Sequence, residues 1–462
     1  MSANSRPEPR RNHIVAHILV ITGKIDVWMP YSFPSPNPGT GSGFLLKQYP
    51  GFVFSNHHVA EGALDVQILW PGVSGTHFPA QIAGSCKSRD LAAFKLDSIP
   101  PFLQPWDGFE LCTEYSQLED VIACGYQLSN CNLLYTKGNI SGLNTDVIFS
   151  RWDISEDIPF YYQITNGVNE GSSGGPLLNS KNQCVGIVSG GIPSANQIGL
   201  AIPSSVLAAV IDDLVAGCSC VLTRLGCFFQ NGYPELYAYY GCPTDNGVYV
   251  VKVFSHSSFP GLKIGDIITA VEIRQGGKVT KYIMNSLGKL VHNDQVYPIK
   301  QIMQTCKSKD EVFCIVWREH QELALPKDFT AKIPHIREID TLRETDYNVV
   351  AGICISPLTL NHIIDFKESR LKSVRQYLNS DKQVWIVTHI FPGTRASEAK
   401  VFVEGDAIDG CNISVPGPDG EPMVIVEANG KKLILFLKQA KAEDSKIMED
   451  YKIAPEDMVL LR

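Results

Sequence analysis

The stretch that decides the fold is Asn169-Glu170-Gly171-Ser172-Ser173-Gly174-Gly175-Pro176-Leu177-Leu178. It sets a hydroxyl among glycines, which let the backbone turn tightly enough for successive N–H groups to face a developing oxyanion. The apolar run from Pro176 to Leu178 then anchors that turn in a core. Loops rich in glycine and serine are common, so this pattern indicates nucleophilic catalysis only if a histidine and a carboxylate occur elsewhere with suitable flanks.

Both partners occur upstream of the serine. Residues Val53 to Ala60 form a strand-like apolar run that ends at His57-His58, and residues Arg89 to Leu96 lead from Asp90 into another apolar run. The order along the chain is therefore His, Asp, Ser, as in the chymotrypsin arrangement. This set of residues predicts nucleophilic catalysis at a carbonyl group.

Five blocks of the sequence together resemble the consecutive blocks of HtrA/Deg serine proteases. They are Gly41-Ser42-Gly43-Phe44, Ser55-Asn56-His57-His58-Val59, Asp90-Leu91-Ala92, Gly171 to Pro176, and Ile198-Gly199-Leu200-Ala201-Ile202-Pro203. The resemblance runs through residues 1–216 and continues more weakly to the C-terminus. It implies a chymotrypsin-like double β-barrel with the active site in the cleft between the barrels.

The resemblance also implies catalytic roles. Ser173 corresponds to the nucleophile, and Asp90 to the carboxylate that orients the imidazole and stabilises its charged form. His58 is preferred over His57 as the general base, because the family's catalytic histidine directly precedes the valine of its block. His57 is then expected to face solvent or to pack beside the end of the strand.

The backbone N–H groups of Gly171 and Ser173 are expected to form the oxyanion hole. Ser172 departs from the family, in which this position carries Asn or Asp. The departure leaves the nucleophile intact, but it leaves open how the oxyanion loop is ordered and whether the resting state is active.

Substrate-binding positions follow from the same resemblance. The edge Ser189-Gly190-Gly191 is expected to pair with an extended substrate. Gly167 stands where trypsin-like enzymes carry their acidic specificity residue. With Ile198 and Leu200 nearby, the pocket is expected to be apolar and to favour small or medium aliphatic side chains before the cut.

Composition limits the class of protein. The chain has 462 residues, of which 44% are hydrophobic and 19% charged, and these fractions are typical of globular proteins. The net charge of −8 without a basic block argues against nucleic acid as a main partner. No apolar run is long enough to span a bilayer. No cofactor and no metal are expected.

The cysteines and the N-terminus bear on the compartment. Thirteen cysteines at irregular spacing do not resemble a secreted disulfide framework, so we expect free thiols and an intracellular location, cytoplasmic or nuclear. Residues His13 to Ile21 can be interpreted as part of a signal peptide, but a first barrel strand fits them better. A metal site is the alternative to free thiols for one cluster of cysteines: Cys218, Cys220, Cys227 and Cys242.

The protease domain is expected to span residues 1–218, with residues 1–12 disordered. Pro30 to Gly43 is interpreted as a loop between strands. The helical period of Ser204 to Ala216 predicts a closing helix, with Ser204 as its N-terminal cap and Gly217 as its end.

Two further units, residues 222–330 and 340–462, resemble PDZ domains. The first has a strand at Gly247 to Val253, a Gly-Asp-Ile-Ile turn, an expected helix at Tyr297 to Cys306 and a strand at Val312 to Trp317. The second repeats the pattern from Tyr347 onward, with an insertion at Ser356 to Asp381. The expected fold class is therefore mainly β, a chymotrypsin-like double β-barrel followed by two PDZ-like α+β domains.

The resemblance implies a serine endopeptidase that cleaves unfolded or damaged proteins through an acyl-enzyme. Its two-PDZ layout resembles the intracellular Deg branch. The PDZ-like domains are expected to regulate, assemble or bind C-terminal peptide tails, with the first doing so at the edge Gly247 to Val251. In the second, Ala351-Gly352-Ile353-Cys354 is expected to be occupied by neighbouring chain instead. A homo-oligomer, a trimer or a multiple of trimers, is expected. The alternative is a catalytically silent chaperone or scaffold.

Overall fold

The computed structural model describes residues 13–23, 25–32, 36–128, 132–144, 159–191, 198–218, 220, 222–254, 257–328, 346–365, 377 and 383–461. The chain divides into two compact units, one of residues 1–22 and 38–332 and one of residues 23–37 and 333–462. The disorder expected for residues 1–12 concerns a part of the chain outside the described residues.

The first unit begins with two closed six-stranded barrels. The strands of the first barrel, which pair in the order β1-β2-β3-β6-β5-β4, are β1 (Val15–Thr22), β2 (Asn37–Phe44), β3 (Phe52–Ser55), β4 (Ala63–Trp70), β5 (Ser74–Cys86) and β6 (Leu91–Leu96). The strands of the second, which pair in the order β10-β11-β12-β9-β8-β7, are β7 (Asp120–Gly125), β8 (Leu134–Asn144), β9 (Tyr161–Ile164), β10 (Pro176–Leu178), β11 (Cys184–Gly191) and β12 (Gly199–Pro203). The predicted mainly β, chymotrypsin-like fold is confirmed.

Buried apolar side chains fill each barrel. In the first barrel Ile18 of β1 pairs with Ile68 of β4, and both side chains are fully buried. The second barrel has its own apolar cluster, which includes Val121, Ile140 and Leu177. Strands such as β6 and β12 are buried along nearly their whole length, so both of their faces lie against other parts of the protein.

Strand β2 corrects the interpretation of Pro30 to Gly43 as a loop, because residues from Asn37 onward are extended and paired. The glycines of β2 serve close packing instead of turning. A Cβ at Gly41 would lie 2.7 Å from a methyl carbon of Val59, and one at Gly43 would lie 2.6 Å from a methyl carbon of Val53. Glycine in a strand marks such close approaches as well as bends, and composition alone does not separate the two cases.

Helix α2 (Ser204–Ala216) closes the protease region with the predicted bounds. Gly217 ends it in the left-handed conformation, as expected. Ser204 is not the cap, however, because Pro203 takes that position and the Ser204 hydroxyl donates to the carbonyl oxygen of Cys112. The buried hydroxyl thus satisfies a distant backbone group instead of its own helix.

The second half of the first unit is an eight-stranded sheet with two short helices. The strands are β13 (Cys227–Asn231), β14 (Val248–Val253), β15 (Ile267–Gln275), β16 (Lys278–Met284), β17 (Lys289–His292), β18 (Gln295–Pro298), β19 (Glu311–Arg318) and β20 (Gln321–Pro326). The helices are α3 (Pro234–Tyr239) and α4 (Ile299–Gln304). Helix α4 is shorter than the predicted Tyr297 to Cys306, since Tyr297 and Pro298 still belong to β18.

The prediction that Gly247 to Val251 offers a free edge is wrong. Strand β14 is paired on both sides, with β13 and with β15. The strand at the end of the sheet order is β13, whose Phe228 is 59% exposed. The error arose because residues before Gly247 carry no regular alternation that would have identified β13.

The second unit contains two three-stranded antiparallel sheets. Their strands are β21 (Asn348–Val350), β22 (Ile353–Pro357), β23 (Trp385–Ile390), β24 (Ile408–Pro416), β25 (Pro422–Ala428) and β26 (Lys431–Phe436). The remaining helices are α1 (His57–Ala60) in the first unit and, in this one, α5 (Leu360–Asp365), α6 (Arg395–Ala399) and α7 (Leu437–Tyr451). Membrane spans are not found among the described helices, none of which combines sufficient length with sufficient hydropathy.

We predict that Gly84→Ala destabilises the first unit, because a Cβ there would lie 2.3 Å from the carbonyl oxygen of Leu214 in α2. Overpacking of this kind costs roughly 1–3 kcal/mol. The control is Gly75→Ala in the same strand, where a Cβ meets nothing within 4 Å. Urea unfolding followed by circular dichroism measures both. Equal midpoints for the two variants would contradict the packing argument.

Candidate active site

His58 and Asp90 are brought together at the mouth of the first barrel by short elements. His58 lies in helix α1, which follows strand β3, and Asp90 ends a 3-10 turn of Lys87–Arg89 just before β6. The Nδ1 atom of His58 lies 2.9 Å from each carboxylate oxygen of Asp90. The His58 backbone N–H also donates to that carboxylate, at 3.0 Å. The pair therefore fixes the position of the ring and leaves Nε2 as the nitrogen that can accept a proton.

Asp90 adopts the left-handed conformation, with φ of 50°. Its backbone carbonyl accepts a hydrogen bond from Asn56 Nδ2 at 3.0 Å, and its carboxylate accepts one from the Ser189 hydroxyl at 2.8 Å. Sequence reasoning placed Ser189 at the substrate edge and gave Asn56 no role. The contacts of both residues help to hold Asp90 in its left-handed conformation.

The electrostatics of the pair suit a general base. Burial alone would lower the pKa of His58, but the charge of Asp90 and its hydrogen bond, with a smaller contribution from Glu61, raise it above the usual value of 6.5. Burial opposes ionisation of Asp90, yet the interactions with His58 and the Ser189 hydroxyl hold the pKa of Asp90 below its usual value. Each partner thus stabilises the charged form of the other.

The two neighbouring histidines lie in different surroundings. The His57 ring is buried and its Nδ1 contacts the Ser85 hydroxyl of β5, whereas the side chain of His58 is 44% exposed. Of the two outcomes expected for His57, packing beside the strand end is the one found. A histidine that exchanges protons with a substrate must be accessible from the solvent. Of these two histidines, His58 is the accessible one.

Ser173 lies in the turn before β10, and its hydroxyl donates to the carbonyl oxygen of Ser189 at 2.9 Å. In the part of the chain that the structure describes, no hydrogen bond joins this hydroxyl to His58. Ser189 therefore contacts both halves of the site, through its hydroxyl to Asp90 and through its carbonyl to Ser173.

The oxyanion loop is ordered by backbone contacts. The N–H of Leu128 donates to the carbonyl oxygen of Glu170 at 2.7 Å. Because C=O and the following N–H point in opposite directions in a trans peptide, the Gly171 N–H points away from Leu128. Within the described residues, neither this N–H nor that of Ser173 donates to an acceptor. The two predicted oxyanion donors are thus available.

Glycine is required at position 171. Its φ is +90°, and a Cβ there would lie 2.3 Å from the carbonyl oxygen of Tyr126. Ser172, the residue that departs from the family, is buried and donates from its hydroxyl to the carbonyl oxygen of Asn169 at 2.5 Å. The Asn169 amide in turn donates to Gln127 Oε1 at 2.9 Å. A short chain of polar contacts therefore holds the loop at position 172.

The predicted specificity residues lie around the end of β11 and β12. Gly190 pairs with Leu200 and Gly191 with Gly199 across these strands. A Cβ at Gly167 would meet nothing within 4 Å, so this position is open. Leu200 is buried in the core, whereas Ile198 is partly exposed.

Val168 is an apolar neighbour that sequence reasoning missed. A Cβ on Gly199 would lie 2.8 Å from its Cγ2 atom. Its place directly after Gly167 is the only signal in the sequence that could have identified it.

Comparisons with known proteins show what the chain is similar to. A profile of the trypsin-like peptidase domain matches residues 41–187. A probable periplasmic serine endoprotease, DegP-like, from Rickettsia prowazekii is 27% identical over 85% of this chain and 72% of its own length. The serine protease Do-like HtrA of Bacillus subtilis is 30% identical over 51% of this chain and 54% of its own length. The structure of the HtrA-type protease AlgW with tripeptide covers 68% of this chain and 92% of that one, with 20% identity and a TM-score of 0.49.

The double barrel and the relatives together define a serine-type endopeptidase with a trypsin-like domain. Within that class, the chain is similar to HtrA and DegP-like serine proteases.

The prediction of an intracellular location is wrong. Relatives from Rickettsia prowazekii, Rickettsia conorii and Rhizobium meliloti are all named periplasmic serine endoproteases. The prediction relied on an odd number of irregularly spaced cysteines. Such a count excludes complete pairing of the thiols, but unpaired thiols also occur in proteins outside the cytoplasm, so the count does not determine the compartment.

If His58 is the general base, we predict that peptidase activity falls on the acid side with a midpoint above pH 6.5, because a base must be neutral and the pKa of His58 is raised. Asp90→Asn removes the main cause of the increase, so the acid limb should move to lower pH while kcat drops by about 10⁴. Glu61→Gln is the control and should move the limb less, since Glu61 is the smallest contributor. The measurement is kcat/KM against pH. An unmoved limb in Asp90→Asn would contradict the assignment.

Proposed function

We propose that Ser173 is the nucleophile of this endopeptidase, with His58 as general base and Asp90 as the group that orients and charges the imidazole. The contact of His58 Nδ1 with both oxygens of Asp90 carries the proposal, because it fixes the tautomer in which Nε2 is free to take the serine proton. The alternative of a catalytically silent scaffold receives no support from the site or from the relatives.

The first chemical step then requires a rotation. Ser173 donates to the Ser189 carbonyl in the structure, so its hydroxyl must turn toward His58 before attack. His58 takes the proton as the serine oxygen bonds to the scissile carbonyl carbon, and later gives it to the leaving amine. Catalytic hydrogen bonds commonly tighten only once substrate is bound, and the rotation fits that behaviour.

The N–H groups of Gly171 and Ser173 stabilise the oxyanion of the tetrahedral intermediate. Removing one such donor typically raises the barrier by about 3–4 kcal/mol. The Leu128 to Glu170 hydrogen bond supports this role because it holds the Gly171 peptide in one orientation before substrate arrives.

The substrates are unfolded or damaged proteins, bound as extended chains along Ser189 to Gly191. The open position at Gly167, with Val168 and Ile198 nearby, favours aliphatic side chains before the cut. No carboxylate at position 167 is available to pair with a basic side chain.

Residues 222–330 and 340–462 are PDZ-like domains that regulate and assemble the protease in a homo-oligomer, a trimer or a multiple of trimers. In the first of them, C-terminal peptide tails pair with strand β13, which ends the sheet order and exposes Phe228. Addition of a strand to a free sheet edge is the usual way in which such domains hold a tail.

We predict that Ser173→Ala and His58→Ala each lower kcat by on the order of 10⁴-fold or more. His57→Ala removes a buried ring and costs stability, but it leaves the reacting atoms in place, so kcat per folded enzyme should change far less. Hydrolysis of fluorescent casein, normalised to the folded fraction, measures all three. Near-normal turnover by Ser173→Ala would contradict the assignment of Ser173 as the nucleophile. Equal losses of kcat in the two histidine variants would contradict the assignment of His58 as the base.

A second prediction concerns specificity. Peptides with Val, Ala, Leu or Ile before the cut should outpace those with Lys or Arg, because an unpaired cation in an apolar pocket carries a large desolvation cost. Gly167→Asp should raise the relative rate on Lys and Arg peptides. The control Gly72→Asp, also at an open position, should not. Cleavage-site profiling of a peptide library reports the outcome. A wild-type profile dominated by Lys and Arg would refute the proposed pocket.

A further inference from the structure

The second unit includes residues 23–37, which in the sequence lie between two strands of the first barrel. We use "inserted segment" for residues Ile25 to Ser32. It is folded into two consecutive turns, in which the Met29 N–H donates to the carbonyl of Asp26 and the Ser32 N–H donates to the carbonyl of Met29. A compact, turned segment of this kind presents its side chains in a fixed arrangement.

Tyr31 of the inserted segment lies in an aromatic cluster. Its ring centroid is 5.1 Å from that of Phe391 and 5.6 Å from that of Tyr451, with Tyr347 and His389 at 6.5 and 5.9 Å. These separations lie within the range in which aromatic rings attract one another. Tyr31 also packs against the apolar cluster that Val349, Cys354, Ile447 and Met458 form with other residues. One side chain of the segment thus completes a core of the second unit.

His362 makes a second contact with the segment. Its ring is fully buried, and the Thr359 N–H donates to Nδ1 at 3.2 Å. A nitrogen that accepts carries no proton in the neutral ring, so Nε2 bears it and donates to the carbonyl oxygen of Val27 at 2.9 Å. The ring also meets Trp28 edge to face, with centroids 5.0 Å apart. A directed hydrogen bond and an aromatic contact together recognise this part of the segment.

A third feature closes the place where a peptide tail would be captured. The N–H groups of Ala351 and Gly352, both at positive φ, donate to the two carboxylate oxygens of Asp444 at 3.0 and 2.9 Å. Successive amides in such a turn form a concavity that binds carboxylates. Asp444 of helix α7 is itself fully buried. In addition, strand β22 is paired on both sides, with β21 and β23.

We infer that the second unit is a receptor for residues 25–32 of its own chain, and that it does not take up free carboxyl-terminal tails. The segment supplies Tyr31 and Trp28 as anchors, while Asp444 supplies the carboxylate that a tail would otherwise bring. The inference goes beyond the proposed peptidase activity and does not depend on it.

Photo-crosslinking in the full chain tests the receptor. The photoreactive residue p-benzoylphenylalanine replaces Tyr31, and, as a matched control, Tyr239, which is 81% exposed. Position 31 should yield crosslinked peptides from residues 346–461 in a single-chain band, and position 239 measures the background of non-specific crosslinking. Absence of those peptides, or their presence only in covalent dimers, would overturn the inference that the segment binds its own molecule.

Hydrogen exchange separates recognition from proximity. Tyr31→Ala should speed amide exchange in Asn348–Val350 and in the C-terminal turn of α7 by about tenfold, because the lost ring contacts stabilise both. Tyr31→Phe should exchange like the wild type, since the contacts are between rings. Tyr239→Ala is the control. Unchanged exchange in Tyr31→Ala would show that the ring is not an anchor.

Binding of free carboxyl-terminal tails is tested with a hexapeptide. It carries a free carboxylate at an apolar C-terminal residue and a photoreactive group at its N-terminus. Wild-type full chain should show no label within residues 346–461. The double variant Asp444→Ala/Tyr31→Ala should show label there, because both occupants are removed. Label in the wild type, or none in the double variant, would overturn the claim that the chain's own residues fill the site.

Discussion

The buried residue Ser42 joins the two barrels, and the geometry of the active site depends on it. Its N–H donates to the carbonyl oxygen of Ser173 at 2.8 Å, and its hydroxyl donates to that of Gly171 at 2.7 Å. The same hydroxyl accepts from the Tyr126 N–H, and the Ser42 carbonyl accepts from the Ser55 hydroxyl. All of its polar groups are therefore paired inside the protein, where an unpaired group would be costly. A residue of the first barrel thus fixes the loop of the second barrel that carries Ser173.

The His58–Asp90 pair is likewise held in place by a few specific contacts. A carboxylate as buried as Asp90 would normally favour the neutral form, and its left-handed backbone adds strain. Its interactions with His58 and Ser189 favour the ionised form despite the burial. The hydrogen bond from Asn56 to the Asp90 carbonyl offsets the backbone strain. These contacts are all made by residues of the two barrels near the serine loop, so folding of the barrels itself prepares the charge pair.

Much of the fold and site could be predicted because short motifs determine them. The His, Asp and Ser blocks each require specific residue types, and the strands of the barrels are short apolar runs bounded by turn residues. The errors have physical causes. The glycines of β2 looked like loop residues because close packing and turning use the same amino acid. Strand β13 was missed because it lacks alternation, and Ser204 was taken for a cap because its distant partner Cys112 is not visible in the sequence.

The contacts of the inserted segment could not be predicted from the sequence, because they join residues far apart in the chain. Val27 and His362 are 335 positions apart, and no local pattern marks either one as a binding residue.

The two regions that follow the barrels share a sequence pattern, yet their sheets differ in how the edges are paired. In the first, strand β13 ends the sheet order and Phe228 is exposed, so an added strand has a place to pair. In the second, strand β22 is flanked on both sides, and Asp444 occupies the amides of Ala351 and Gly352. A carboxylate already held by two amides competes with any tail at an effective concentration that a free peptide cannot match. The two amides that could hold a tail carboxylate in this region are therefore already satisfied by a residue of the same chain.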